Sequence, residues 1–269
     1  MAKSLGWLHL SDLHFLSASN WRDSAVLRKL QDDIADCRKD GLHIDLVLCT
    51  GDIGFGKTDS ESLSSQYAAA KEFLDSVLKV CDLPSDRLFL VPGNHDIDRS
   101  KVRDSTTEYF RNASRNCEGV NQMFSDGNLE ILEAMKRLAQ YRQFVHDNYP
   151  HIPIDENATF HVSFDINGLV VSILGLNSAW TSFDGKDEGQ LWLAGQAQLH
   201  ALEGNRRRSL PGVVNGGVRI GLIHHPKPDE PEPNRGYDKR LSDDGENDHG
   251  CGGIDGTICG ESAWCVVLF

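Results

Sequence analysis

Four short motifs carry side chains able to hold a divalent metal: Asp12-Leu13-His14, Gly51-Asp52, Gly93-Asn94-His95-Asp96 and His224-His225-Pro226. Asp, Asn and His are hard-to-borderline oxygen and nitrogen donors, a set that suits Mn, Fe, Zn, Co or Mg and not a thiolate site. In an Asp-x-His after a strand, positions i and i+2 are expected to point to the same side, so that Asp12 and His14 grip one ion. The glycines ahead of Asp52 and Asn94 let the backbone turn tightly and approach a ligand. One such fragment alone is weak, since a lone Gly-Asp is commonly a turn. Four in order, each after an apolar run, point to a metal centre.

The elements that must position these motifs follow from periodicity. Short apolar runs at Gly6–Leu10, Ile44–Cys49, Arg87–Val91 and Val218–Ile223 predict strands whose C-terminal ends deliver the four motifs, where loops of an open α/β sheet converge on ligands. Helical spacing predicts a helix capped by Asn20 and closed at Gly41, a second over Tyr67–Cys81, and a long one from Asn128 to Val145, ended by Pro150. Residues 97–128 read as polar and irregular. Thr159–Phe164 and Leu169–Leu174 flank Asn167-Gly168, a strong hairpin signal, and a short helix covers Gln196–Leu202. Strand, helix, strand, helix, strand implies parallel pairing.

The chain has 269 residues and a formal net charge of −13. That length fits one large domain or two small ones, with enough chain to bury a sizeable core. The acidity argues against a partner held through nucleic-acid backbone charge, but not against a phosphorylated substrate, because bound cations invert local charge. No apolar run reaches membrane-spanning length and no signal peptide is recognisable, so the expectation is a cytoplasmic protein with no membrane partner. Seven scattered cysteines read as thiols in a reducing compartment, with Cys37, Cys49 and Cys81 buried in apolar segments.

Taken together, the four motifs resemble the calcineurin-like metallophosphoesterase superfamily, whose pattern is Asp-x-His, Gly-Asp, Gly-Asn-His-(Asp/Glu), His and Gly-His-x-His. Residues 5–226 follow it, including Leu176-Asn177-Ser178-Ala179-Trp180 and Gly189-Gln190-Leu191. The resemblance implies a four-layer α/β/β/α sandwich with mixed sheets around two divalent ions. Asp12 and His14 would bind the first ion, Asp52 would bridge both, and Asn94 and His224 would bind the second. His95 would be the general acid, oriented by Asp96. The activity implied is hydrolysis of a phosphoester by a water activated between the ions. Asp96, where similar protein phosphatases usually carry Glu, and Val91-Pro92-Gly93 lean towards a phosphodiester or a small phosphomonoester. Nucleic acid enters only as a possible substrate.

The final Gly-His-x-His is absent, and His249 is the only histidine beyond His225. The expectation is therefore a sandwich incomplete at its C-terminus, with residues 1–226 as the metallophosphoesterase domain and 227–269 as an acidic, Pro/Gly-rich tail, irregular or disordered. The Val218–Ile223 edge would lack its usual neighbour, and the Trp264–Phe269 run either docks as an edge strand or stays exposed. Two rivals remain. Gly51–Thr58 matches the phosphate-loop pattern G-x-x-x-x-G-K-[ST], though an acidic loop follows where a helix should start. A binding protein that keeps the fold without efficient catalysis is the other. His9 and Trp180 read as core residues, His225 as a neighbour of the ligands, Arg206–Arg208 as a solvated loop, and Cys251, Cys259 and Cys265 as lacking zinc-site spacing.

Overall fold

The strand signals are met almost residue for residue. In a computed structural model of the chain, the described residues are 4–16, 24–56, 61–101, 103–113, 117–183, 191, 193–206, 217–225 and 263–267. Strands β1 (Trp7–Leu10), β2 (Leu46–Thr50) and β3 (Leu88–Val91) form a parallel sheet in that order, with Leu10 opposite Cys49 and Thr50 opposite Val91. β2 and β3 are buried along their whole length, which explains why they read as continuous apolar runs and not as alternating ones.

The second sheet is β4 (Phe160–Ile166), β5 (Leu169–Gly175), β6 (Val218–Leu222) and β7 (Ala263–Val267). β4 and β5 form the expected antiparallel hairpin, and Asn167 and Gly168 both take the positive φ that its two-residue turn demands. β5, β6 and β7 are parallel, so mixed pairing belongs to this sheet, while the described strands of the first are all parallel. The terminal apolar run thus docks beside β6. This corrects the expectation of a β6 edge without a neighbour. Residues 226–262, including His249, Cys251 and Cys259, lie outside the described residues. The two sheets meet through Phe89 of β3, whose ring stacks with Phe160 and Phe164 of β4 at 6.2 and 5.5 Å.

Helices α1 (Ala25–Lys39), α2 (Leu63–Cys81) and α6 (Ala139–Asn148) pack together, as do α4 (Cys117–Ser125) and α7 (Gly195–Arg206), giving the α/β/β/α arrangement. The expected Asn20 cap lies outside the described residues, and the cap of α1 is Ser24, whose Oγ accepts from Leu27 N. α2 starts before Tyr67 because the Ser62 side chain accepts from Ser65 N. Cys37 is exposed, contrary to expectation, while Cys49 and Cys81 are buried. The described part of Arg206–Arg208 is the end of α7 alone.

Residues 97–128 are not irregular. They contain α3 (Asp104–Ala113) and α4, and one aromatic from each, Phe110 and Phe124, meets the Trp180 ring edge-on at 5.5 Å. Sparse apolar content concealed these helices because each buries a narrow stripe against one large aromatic. The long helix from Asn128 is likewise interrupted. α5 (Leu129–Met135) passes through a 3₁₀ turn at Lys136–Leu138 before α6. The interruption turns Arg137 inward, where it is 1% exposed. Its guanidinium donates to the carbonyls of Trp180 and of Ser182, its Nε to Ala134 O at 3.0 Å, and it lies 4.5 Å over the Phe183 ring. Arg137→Ala should orphan two carbonyls and lower unfolding free energy by about 3 kcal/mol, read by urea denaturation; an unchanged midpoint would show that the guanidinium is not the staple of this loop.

Candidate metal centre

The loops after β1 and β2 are zipped together beyond the ends of their strands. Asp12 N donates to Gly51 O at 3.2 Å, His14 N to Asp52 O at 2.9 Å and Phe15 N to Ile53 O at 2.9 Å. This pairing sets the first motif directly beside the second. Asp12, His14 and Asp52 each occupy the left-handed region, with φ of 54°, 48° and 52°. For non-glycine residues that backbone costs of order 1–3 kcal/mol each and persists where the surroundings impose it. The extended Asp-x-His geometry expected from sequence is therefore corrected: the side chains converge because the backbone coils.

Asp52 is the meeting point. Its carboxylate is nearly fully buried, Oδ1 accepts from His95 N at 2.8 Å, and Oδ2 lies 3.8 Å from His14 Nε2 and 3.4 Å from His224 Nε2. Its donor atoms belong to two clusters, Asp12–Asp52–His224 and His14–Asp52–His95. His14 Nε2 is also 3.7 Å from Asp12 Oδ1, and Asn94 Oδ1 is 3.2 Å from both His224 Nε2 and His225 Nε2. All five ligands predicted from sequence, Asp12, His14, Asp52, Asn94 and His224, are thus brought together. His95 joins them, closer to the donors than a purely substrate-facing role required.

The donor chemistry fits a cation. His224 Nδ1 sits 2.6 Å from Thr50 O, a carbonyl that can only accept, so Nδ1 carries a proton. In the neutral ring, Nε2 then points a lone pair at the Asp52 carboxylate and the Asn94 carbonyl, and three acceptors converge. Either a second proton on the ring or a cation held between them relieves that convergence. Ligand separations of 3.4–3.8 Å exceed an ordinary hydrogen bond and approach the edge, about 3.0–3.4 Å, of a polyhedron with metal–ligand bonds near 2.1 Å. His14 Nδ1 is a buried nitrogen with no hydrogen-bond partner. Burial pushes the Asp52 carboxyl up, but hydrogen bonding and attraction to His224 outweigh it and hold the group below its ordinary value. Burial likewise lowers His224, and Asp52 more than restores it.

The remaining motif residues hold the loops. Asp96 is wholly buried, and its carboxylate accepts from Gly93 N at 2.9 Å, Gly54 N at 3.1 Å, Ile53 N at 3.2 Å and the Tyr67 hydroxyl at 3.3 Å. Burial, then the nearby Asp52, raise its pKa to about 6. The expected orienting contact from Asp96 to the His95 ring is not made: His95 Nδ1 meets Phe55 O at 2.5 Å. A carboxylate enclosed by backbone N–H groups has no lone pair left for a ring on the solvent side. The same contacts weigh against a phosphate loop. Ile53 and Gly54 N donate to Asp96, Phe55 N to Phe15 O, and Gly56 N to Gln66 Oε1. These N–H groups face protein acceptors, whereas a phosphate loop must leave them free.

Sequence reasoning assigned no role to Ser178. Its Oγ lies 2.8 Å from His225 Nδ1 and accepts from His225 N at 3.2 Å, tying the loop after β5 to His225 and through it to Asn94. Burial, then His224, push the His225 pKa down to about 4, in keeping with a neutral ring that contacts ligands. Only the Leu176–Trp180 resemblance pointed towards this segment. Trp180 is the core group expected, fully buried, whereas His9 is only half-buried in β1, its Nε2 meeting Thr50 Oγ1 at 2.7 Å.

The model of the calcineurin-like phosphoesterase family matches residues 7–244. The chain belongs to this family. Its members are metal-dependent hydrolases of phosphoesters, consistent with the clustered donors. The metallophosphoesterase-like protein YydB of Bacillus subtilis (strain 168) is 27% identical over 222 residues, 81% of this chain and 42% of that protein. The chain therefore spans about two fifths of the length of the curated relative it matches. Among the described residues, no helix is long and apolar enough to cross a membrane.

In this family member the third motif touches the second without room to spare. A Cβ at Gly93 would lie 2.1 Å from Asp52 Oδ1 and 2.4 Å from Asp52 N. Gly93→Ala should displace the Asp52 carboxylate and weaken divalent-metal binding about tenfold or more, a scale typical of disturbing the groups that hold a ligand. Mn²⁺ titration by calorimetry checks this; wild-type affinity in the variant would show that the close approach is dispensable.

Proposed function

We propose that the chain hydrolyses a phosphoester, a phosphodiester or small phosphomonoester, at a centre of two divalent ions. The observation that carries this reading is the sharing of Asp52 by two donor clusters, Asp12–Asp52–His224 and His14–Asp52–His95; the division of the other ligands between the ions is taken from the family resemblance. Asp12 and His14 would hold one ion, Asn94 and His224 the other, with Asp52 serving both. Two bound ions neutralise the phosphate and bring the pKa of water into the physiological range. The protein's part is to keep Asp52 ionised, to hold Asn94 through His225 and Ser178, and to present His95.

His95 Nδ1 is engaged by Phe55 O, so Nε2 is the nitrogen turned to the site. When protonated, Nε2 donates to the leaving oxygen, a task an imidazole can perform. Asp96 acts as a positioning residue on the loop backbones. Free thiols at Cys49 and Cys81 support a reducing, cytoplasmic setting. The partner expected is a phosphorylated substrate, with nucleic acid only in that role.

Asp52→Asn should weaken both ions together, with elemental analysis showing loss of the pair; retention of two ions at normal affinity would remove the bridging role. His95→Ala should lower the maximal rate about a hundredfold while metal content stays unchanged; loss of metal would make His95 a ligand. The reaction is tested with Mn²⁺-loaded protein on bis-p-nitrophenyl phosphate, p-nitrophenyl phosphate, cyclic nucleotides and a phosphopeptide. Selective turnover of the phosphopeptide would overturn the substrate class. Protein that takes up little Mn²⁺ and turns over none of these compounds would favour a binding protein that keeps the fold.

A further inference from the structure

Phe55 is an exposed aromatic with its main chain fixed at the rim of the metal centre. Its side chain is 46% exposed. The backbone beneath is pinned on both sides: Phe55 N donates to Phe15 O at 3.1 Å, and Gly56 exchanges two hydrogen bonds with the Gln66 amide at 3.2 and 2.8 Å. The ring stands 6.1 Å from the His14 ring and 5.8 Å from the His95 ring, centroid to centroid. The Phe55 carbonyl also holds His95 Nδ1. One residue therefore orients the proposed proton donor and sets an apolar face beside it. A large aromatic left half in water costs hydrophobic free energy unless something covers it.

We propose that Phe55 is a specificity-determining residue that stacks on a flat aromatic group carried by the substrate on its leaving-group side, an aryl or nucleobase ester. This rests on the phosphoester reading, since the leaving group is the part that meets His95. A π-face accepts any flat ring, so the preference is for planarity and not for one hydrogen-bonding pattern. A sugar or simple alkyl ester would leave the Phe55 ring uncovered and gain nothing from it.

The test compares phenylphosphonate with methylphosphonate, whose carbon–phosphorus bonds resist hydrolysis, titrated calorimetrically into the Mn²⁺-loaded full chain. Wild type should bind the phenyl compound about fivefold or more tightly, the scale of one aromatic stack. Phe55→Ala should abolish that preference and Phe55→Trp should retain it. Equal binding by wild type, or a preference that survives Phe55→Ala, would overturn the inference. So would a Phe55→Ala variant weakened equally towards both compounds, because the residue would then act on the loop and not on the ring. Competition by AMP against ribose 5-phosphate separates the two sources: stronger displacement by AMP supports a nucleobase, equal displacement an aryl ester. Failure of the underlying reading looks different: neither phosphonate binds and no phosphoester is turned over by folded, metal-loaded protein, and the inference falls with it.

Discussion

The burial of one ionised carboxylate organises this molecule. Asp52, on the loop after β2, lies where the loops after β1, β3 and β6 meet, and each of those three presents it with a partner: His14, His95 N and His224. An isolated buried carboxylate would be strongly unfavourable in a protein interior. It is tolerated here because positive charge is meant to collect around it. The His14 and His224 rings, the Asp12 carboxylate and the Asn94 carbonyl bring nitrogen and oxygen donors to the same space, the donor set of a candidate cation site. A net charge of −13 over the chain is no obstacle, because the field at the site is set by the ions it gathers.

The price of that convergence is backbone strain at Asp12, His14 and Asp52. Left-handed geometry at three non-glycine positions persists because interloop hydrogen bonds and the Asp96 carboxylate impose it. Asp96 is one of the most constrained side chains in the protein, serving Gly93, Ile53 and Gly54 at once. It holds the second and third motifs at a fixed separation, so metal geometry is built into the fold before any ion arrives. The same bonds remove the free N–H groups that would have made Gly51–Thr58 a phosphate cradle. A sequence pattern and its usual structure part company here because the following residues are committed to Asp96 and Gln66.

A second layer of control runs from the far sheet. Arg137 ties the turn between α5 and α6 to Trp180 and Ser182, just beyond Ser178, whose hydroxyl meets His225. Asp98 N, four residues after Asn94, in turn donates to Arg137 O at 3.0 Å. The loop after β3 and the loop after β5 are thus both tied to Arg137, one through its main-chain carbonyl and the other through its guanidinium. Removing such a brace leaves the ligands present but less well held, and that distinction matters for a site whose donors must agree within fractions of an ångström.

Sequence alone determined the strands, because β2 and β3 are buried on both faces and must be apolar throughout. It also pointed to the donor residues that the structure clusters, because Asp, His and Asn at strand ends have few other reasons to recur in order. The Asn167-Gly168 hairpin was equally legible, its turn being a local property of two residues. Tertiary structure decided what those residues do to one another. Asp96 was legible as a motif member, but its service to backbone N–H groups required three loops to meet. α3 and α4 were hidden because their apolar stripes make sense only against Trp180. Phe55 carried no signal at all, since an exposed aromatic acquires meaning only from the His14 and His95 rings beside it. Residue type and local period are written in the chain; which lone pairs face one another is a consequence of loops distant in sequence meeting in space.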